Sequence, residues 1–187
     1  AQFQGQIRDG SFSATQLGAV ATAPNARADI TMTLGRFTYV NAAQAVREGG
    51  GNITIANNLS VQSAALGAVS SSFLRTFSGD VSIGGTLTLS ALLGQATLSD
   101  SGAKISIGAG AGRLTTSGNT ETLDYGAITG YGAVSIAGDV RVSSGGYGAN
   151  TDLEIFAVGR AMTLGRQLEL SASGTRSTLH ATLMAHA

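Results

Sequence analysis

The acidic residues are the first to test for chemistry. Hydrolysis of a glycosidic bond needs two carboxyl groups at a set separation, one to donate a proton and one to attack or to activate water. Asp152 and Glu154 share one face of the chain if that segment is extended, and Glu121 and Asp124 lie close in sequence. The eleven acids are otherwise spread thinly, and aromatics, the usual platforms of sugar sites, make up only 5% of the chain. His180 and His186 are the only histidines, six residues apart. No His-x-x-x-His pair and no cysteine joins them to complete a metal-binding set. A serine nucleophile needs a positioned base, and no Gly-x-Ser-x-Gly elbow is present.

Two glycine-rich stretches complete the search. The run 145–152, Gly-Gly-Tyr-Gly-Ala-Asn-Thr-Asp, is similar to one calcium-binding nonapeptide. In it Asn150 stands where the ligand aspartate belongs and Asp152 where an apolar residue belongs, and the motif works through tandem copies. The run 108–112 has neither the lysine nor the spacing of a phosphate loop. The chain is therefore read as a non-enzyme with no catalytic residues, no cofactor and no metal. Its formal net charge is zero, its basic residues are ten scattered arginines and Lys104, and this removes the electrostatic basis for binding nucleic acid or an anionic membrane.

What the chain does contain is a rhythm. Apolar–Ser/Thr–apolar triplets are followed, after three residues, by a second apolar–polar–apolar triplet. The pattern fits 53–55 with 59–61, 81–83 with 87–89, 134–136 with 140–142, and 162–164 with 168–170. Looser copies start at Ile30 and Ile105, so that successive starts lie 23, 28, 24, 29 and 28 residues apart. A period of two puts Val81 and Ile83 on one face and Ser82 on the other. The residue before the first apolar position is Asp29, Asn52, Asp80 or Lys104, and Asp and Asn start turns through side-chain-to-backbone bonds.

These elements make an all-β chain of 187 residues, read as a single β-rich domain over 1–187. A parallel β-solenoid (β-helix) is the favoured architecture, because a chain with one proline leaves nearly every N–H free for a ladder. An antiparallel β-sandwich of hairpins is the runner-up, and the aromatic girdles of an outer-membrane barrel are missing. Residues 1–14 read as a first strand or as an exchangeable N-terminal strand that pairs with a neighbouring subunit, 15–28 as a loop, 41–48 as a short helix, and 177–187 as a last strand. A subunit interface is expected at Phe3, Ile7, Phe12, Leu179 and Leu183.

The phrases at 51–55, 79–89 and 137–142 resemble the repeats of filamentous-haemagglutinin-type surface proteins, secreted β-helical adhesins of Gram-negative bacteria. The resemblance implies a secreted structural protein, a subunit of a self-assembling extracellular filament, surface layer or adhesin, whose partners are copies of itself. Glycan recognition, as in an adhesin tip or a phage tail-fibre domain, is the alternative, and a carbohydrate-active β-helix enzyme is the third reading. A start at Ala1-Gln2 fits a mature form after signal-peptide removal, placed outside the cell or at its surface. No apolar run is long enough for a transmembrane helix.

Overall fold

A computed structural model describes residues 2–41, 44–92, 102–117 and 120–186, leaving aside the side chains of 37–47 and 112–127. The chain opens with strands β1 (Gln2–Ile7), β2 (Phe12–Ala14), β3 (Leu17–Ala21) and β4 (Arg27–Leu34), then a hairpin of β5 (Arg36–Asn41) and β6 (Gln44–Glu48). It continues through β7 (Ile53–Ile55), β8 (Leu59–Ser63), β9 (Val69–Thr76), β10 (Val81–Ile83), β11 (Leu87–Ala91) and β12 (Gly102–Ala109). A second hairpin, β13 (Ala111–Ser117) and β14 (Thr120–Gly130), precedes β15 (Gly132–Ile136), β16 (Val140–Gly145), β17 (Asn150–Leu164), β18 (Leu168–Ser173) and β19 (Thr178–His186).

Three parallel ladders carry the core. In the first, β2, β7, β10, β15 and the end of β17 set Phe12, Ile53, Val81, Val134 and Met162 in one row. In the second, β3, β8, β11, β16 and β18 set Leu17, Leu59, Leu87, Val140 and Leu168 in one row, with Leu170 ending the next. In the third, β1, β4, β9, β12, the start of β17 and β19 align Phe3, Ile30, Ser72, Ile105, Leu153 and Ala181. Alternation decides the faces: Val81 and Ile83 are buried while Ser82 between them faces outward, and apolar residues of all three ladders meet in one core.

The expected parallel β-solenoid and its antiparallel-sandwich alternative are both corrected. The strands form mostly parallel sheets curled into a half-barrel. Strand β17 is the physical reason. It runs 15 residues without a turn, pairs with β12 along its first part and with β15 at its end, and so fuses the first and third ladders into one ten-stranded sheet. The sandwich fails because the triplets pair parallel with their counterparts, as Ile53 does with Val81. The remaining sheet, β14-β13-β6-β5, is antiparallel and made wholly of the two hairpins.

Those hairpins also account for the uneven spacing of the triplets. Partners Ile53 and Val81, or Val134 and Met162, stand 28 residues apart, whereas Val81 and Val134 are separated by the chain that includes β13 and β14. The looser copies at Ile30 and Ile105 belong to the third ladder, in β4 and β12, and are not equivalent to the others. The loop expected over 15–28 contains β3 and the start of β4. The helix expected over 41–48 is strand β6 from Gln44 on, with 42 and 43 outside the described residues. Both ends of that segment pair with extended neighbours, and the ladder overrides its helical propensity.

At the corner before the first ladder, Gly51, Gly79 and Gly132 stack. A Cβ on Gly132 would run into the Gly79 carbonyl, and Gly79 itself has a φ of 135°. The third ladder carries inward hydroxyls. Ser70 donates to the Gln62 carbonyl at 2.7 Å and Thr76 to that of Gly51 at 2.8 Å, but Ser72, 1% exposed between Ile30 and Ile105, has no hydrogen-bond partner among the described residues. A buried hydroxyl without a partner costs on the order of 1–3 kcal/mol. Ser72→Ala should therefore leave stability unchanged or raise it by about 1 kcal/mol in urea unfolding. Ile83→Ala, which empties a fully packed site, should lower it by about 2–5 kcal/mol in the same assay.

Candidate functional site

Of the residues singled out for chemistry, Asp152 and Glu154 are engaged in contacts across the third ladder. Asp152 and Glu154 do share the outer face of β17, but Lys104 Nζ lies 2.8 Å from Asp152 and Ser106 donates to Glu154 at 3.1 Å. The Asp152 hydrogen bond raises the Lys104 pKa against the opposing effect of burial, with both carboxylates adding their attraction. His180 and His186 both lie on β19, six residues apart along an extended strand, or about 20 Å, and share no ligand position. Among the described residues no three His, Cys, Asp or Glu side chains cluster to hold a metal. The side chains of Glu121 and Asp124, in β14, lie outside those described.

The glycine-rich stretches are structural as well. Residues 145–152 span the end of β16, the turn 146–149 and the start of β17, whose Asn150 Oδ1 accepts from Thr178 Oγ1 at 3.0 Å. Gly108 lies under the ring of Phe156, which a Cβ there would strike. The Arg75 guanidinium sits over both Phe73, at 4.6 Å, and Phe156, at 4.8 Å. Of the residues expected to start turns, Asp29 and Lys104 lie within β4 and β12, whereas Asn52 and Asp80 precede β7 and β10 and bond across to neighbouring chain segments: Ser11 Oγ accepts from the Asn52 N–H at 3.0 Å, Asn52 Oδ1 from the Asp80 N–H at 3.0 Å, and Asp80 Oδ1 from the Ala133 N–H at 2.9 Å.

The three parallel ladders have two ends. At one end β1, β2 and β3 are outermost, and at the other β18, β19 and the last residues of β17. Phe3, Phe12, Leu17 and Ile30 line an open cavity of about 710 Å³ at the first end. Phe3 is 51% exposed there, while Ile7 and Phe12 pack partly against the core. At the second end Leu179 packs partly against the core and Leu183 is 37% exposed. The structure thus places Phe3 and Phe12 together and Leu179 and Leu183 at the opposite end. Residues 2–7 and 12–14, the segment read as an exchangeable strand, pair within their own molecule with β4 and β7. Leu168 and Leu170, 40% and 47% exposed, belong to the second end but were hidden in sequence because their triplet matches the buried copies.

Asp29, on the outer face of β4 beside β1, has a lowered pKa. Burial pushes it up, but hydrogen bonds from Ser71 at 2.6 Å, Arg27 at 2.5 Å and Gln2 at 3.4 Å outweigh that and hold it below its ordinary 3.8. A carboxyl depressed in the folded state stabilises fully above its unfolded value and loses that contribution as the pH falls through the folded one. Asp29→Asn should therefore flatten the loss of stability seen from about pH 5 downward, as read by thermal unfolding across that range.

No described helix is long and apolar enough to cross a membrane. Compared with protein-family models, with curated proteins and with solved structures, the chain matches none.

Proposed function

We propose that this chain is a non-enzymatic structural subunit that associates end to end with copies of itself, in an extracellular filament or cell-surface layer. One observation carries the reading. Along a single row of the second ladder, Leu59, Leu87 and Val140 are 0% exposed, and the row then ends on Leu168 at 40%. Among the described residues no polar side chain caps this row. An outermost parallel strand offers unpaired N–H and C=O groups to another chain, and proteins that remain single usually blunt such an edge with charge, proline or a covering loop. Burying each terminal leucine contributes about 1.5–3 kcal/mol. The weakly charged, hydroxyl-rich outer surface, with Ser13, Thr54, Ser82, Ser135 and Thr163 stacked along the first ladder, supports a place outside the cell.

Light scattering and negative-stain electron microscopy over a range of concentrations test this. Elongated particles that lengthen with concentration are expected. Leu170→Glu, at a site already 47% exposed, should keep the fold and hold the protein as a monomer. A wild-type protein that stays monomeric throughout, or a Leu170→Glu variant that elongates as before, would contradict the reading. A discrete oligomer of fixed size would redirect it to a glycan-binding tip.

A further inference from the structure

We propose that copies join by strand replacement, with β19 of one molecule taking the place of β1 against β4 of the next. The inference rests on end-to-end association and specifies its joint. Strands β2, β3 and β4 follow one another and stand at one level, with β1 a strand further out on the third ladder alone. At the other end, the last residues of β17, β18 and β19 also stand at one level. If β1 stays in place and meets β19, the first and second ladders are each left a strand short, separated by an extra gap of about 4.8 Å that backbone hydrogen bonds cannot span. If β1 leaves, β2, β3 and β4 meet their three counterparts together.

Register favours the exchange. Among the described residues strand β1 pairs with Asp29 through Leu34. The frame carried through β9, β12 and β17 sets residues 178–185 against 27–34, one for one. Leu179, Ala181, Leu183 and Ala185 would then lie on Ala28, Ile30, Met32 and Leu34, where β1 offers only Phe3, Gly5 and Ile7 to the last three. Leu168 would extend its row onto Leu17 and enter the cavity that Phe3, Phe12 and Leu17 now line.

Charge follows the same frame. The outer row through Asp29 runs on to Ser71, Lys104, Asp152 and His180, and within it Lys104 already pairs with Asp152 at 2.8 Å. Replacement sets His180 beside Asp29 of the next molecule, in the position from which Gln2 reaches that carboxylate at 3.4 Å. The occupant of this end is therefore a second copy of the same chain, and β1 is a placeholder that the joint expels.

The chain contains no cysteine, so introduced pairs report the joint directly. Thr31 of β4 faces Gln4 of β1 in the free molecule and would face Thr182 of a neighbour after replacement. Under mild oxidation, Thr31→Cys with Thr182→Cys should give disulfide-linked multimers on a non-reducing gel, whereas Gln4→Cys with Thr182→Cys should give no more than the single-cysteine variants. Removing residues 1–8 should speed elongation. Cross-linking through Gln4 in place of Thr31, or no multimers through Thr31 from protein that still elongates, would overturn strand replacement and leave end-to-end association standing. If wild type, the truncated chain and both pairs all stay monomeric, both readings fall.

Discussion

Everything in this molecule depends on one requirement: a strand inside a parallel ladder must satisfy its N–H and C=O groups on neighbours above and below, in register. Once Ile53, Val81 and Val134 are set in a row by that requirement, what one strand buries the next must also bury. In the first two ladders like therefore stacks on like, and the inner rows of their triplets are apolar with almost no exposure away from the ends. The corners obey the same rule. Gly51, Gly79 and Gly132 come so close that no side chain fits between them and the carbonyl below, and the Ser11–Asn52–Asp80 series links each corner to the next through a side-chain oxygen and a backbone N–H.

With the backbone so constrained, charge has a minor part. The described ion pairs lie on the outer surface, where solvent weakens them; in Arg141–Asp139, for example, the arginine side chain is 56% exposed. The more demanding polar groups are inward hydroxyls, and most are absorbed by nearby carbonyls, as Ser144 is by Ala149 at 2.8 Å. Arg75 is a special case, because its guanidinium lies against two aromatic rings.

The sequence made the strands and their faces legible wherever three-residue triplets stood alone, because a period of two admits one inward set. Val81, Ile83, Leu87 and Leu89 could be assigned to the core from that alternation alone, and all four are buried. The global path was not legible. Ile30 and Ile105 carry the same local pattern as Ile53, yet they sit on a different ladder, and nothing in a triplet says which neighbour it will meet. Residues 41–48 misled because alanine favours helix locally, whereas pairing with β5 and β13 decided the outcome. At the ends, Phe3, Phe12, Leu179 and Leu183 could be picked out as apolar residues near the termini. Leu168 and Leu170 could not, since exposure there arises from the lack of a next described strand rather than from any difference in residue type.

The antiparallel sheet of the two hairpins has a consequence for how the molecule comes apart. A stack whose members touch only adjacent members can fray from either end, one rung at a time. Here β6, which follows the first set of strands, pairs with β13, which follows the fourth strand of the third ladder. That pairing ties together parts of the stack that are not adjacent and skips over the rungs between them. Fraying from the last strand can proceed through β19 and β18, but removing β12 or β9 strains the hairpin pairing at the same time. The rungs from β4 to β12 are thus a cooperative block clasped from the side, and the strands outside it, β1 at one end and β18 and β19 at the other, are free to open alone.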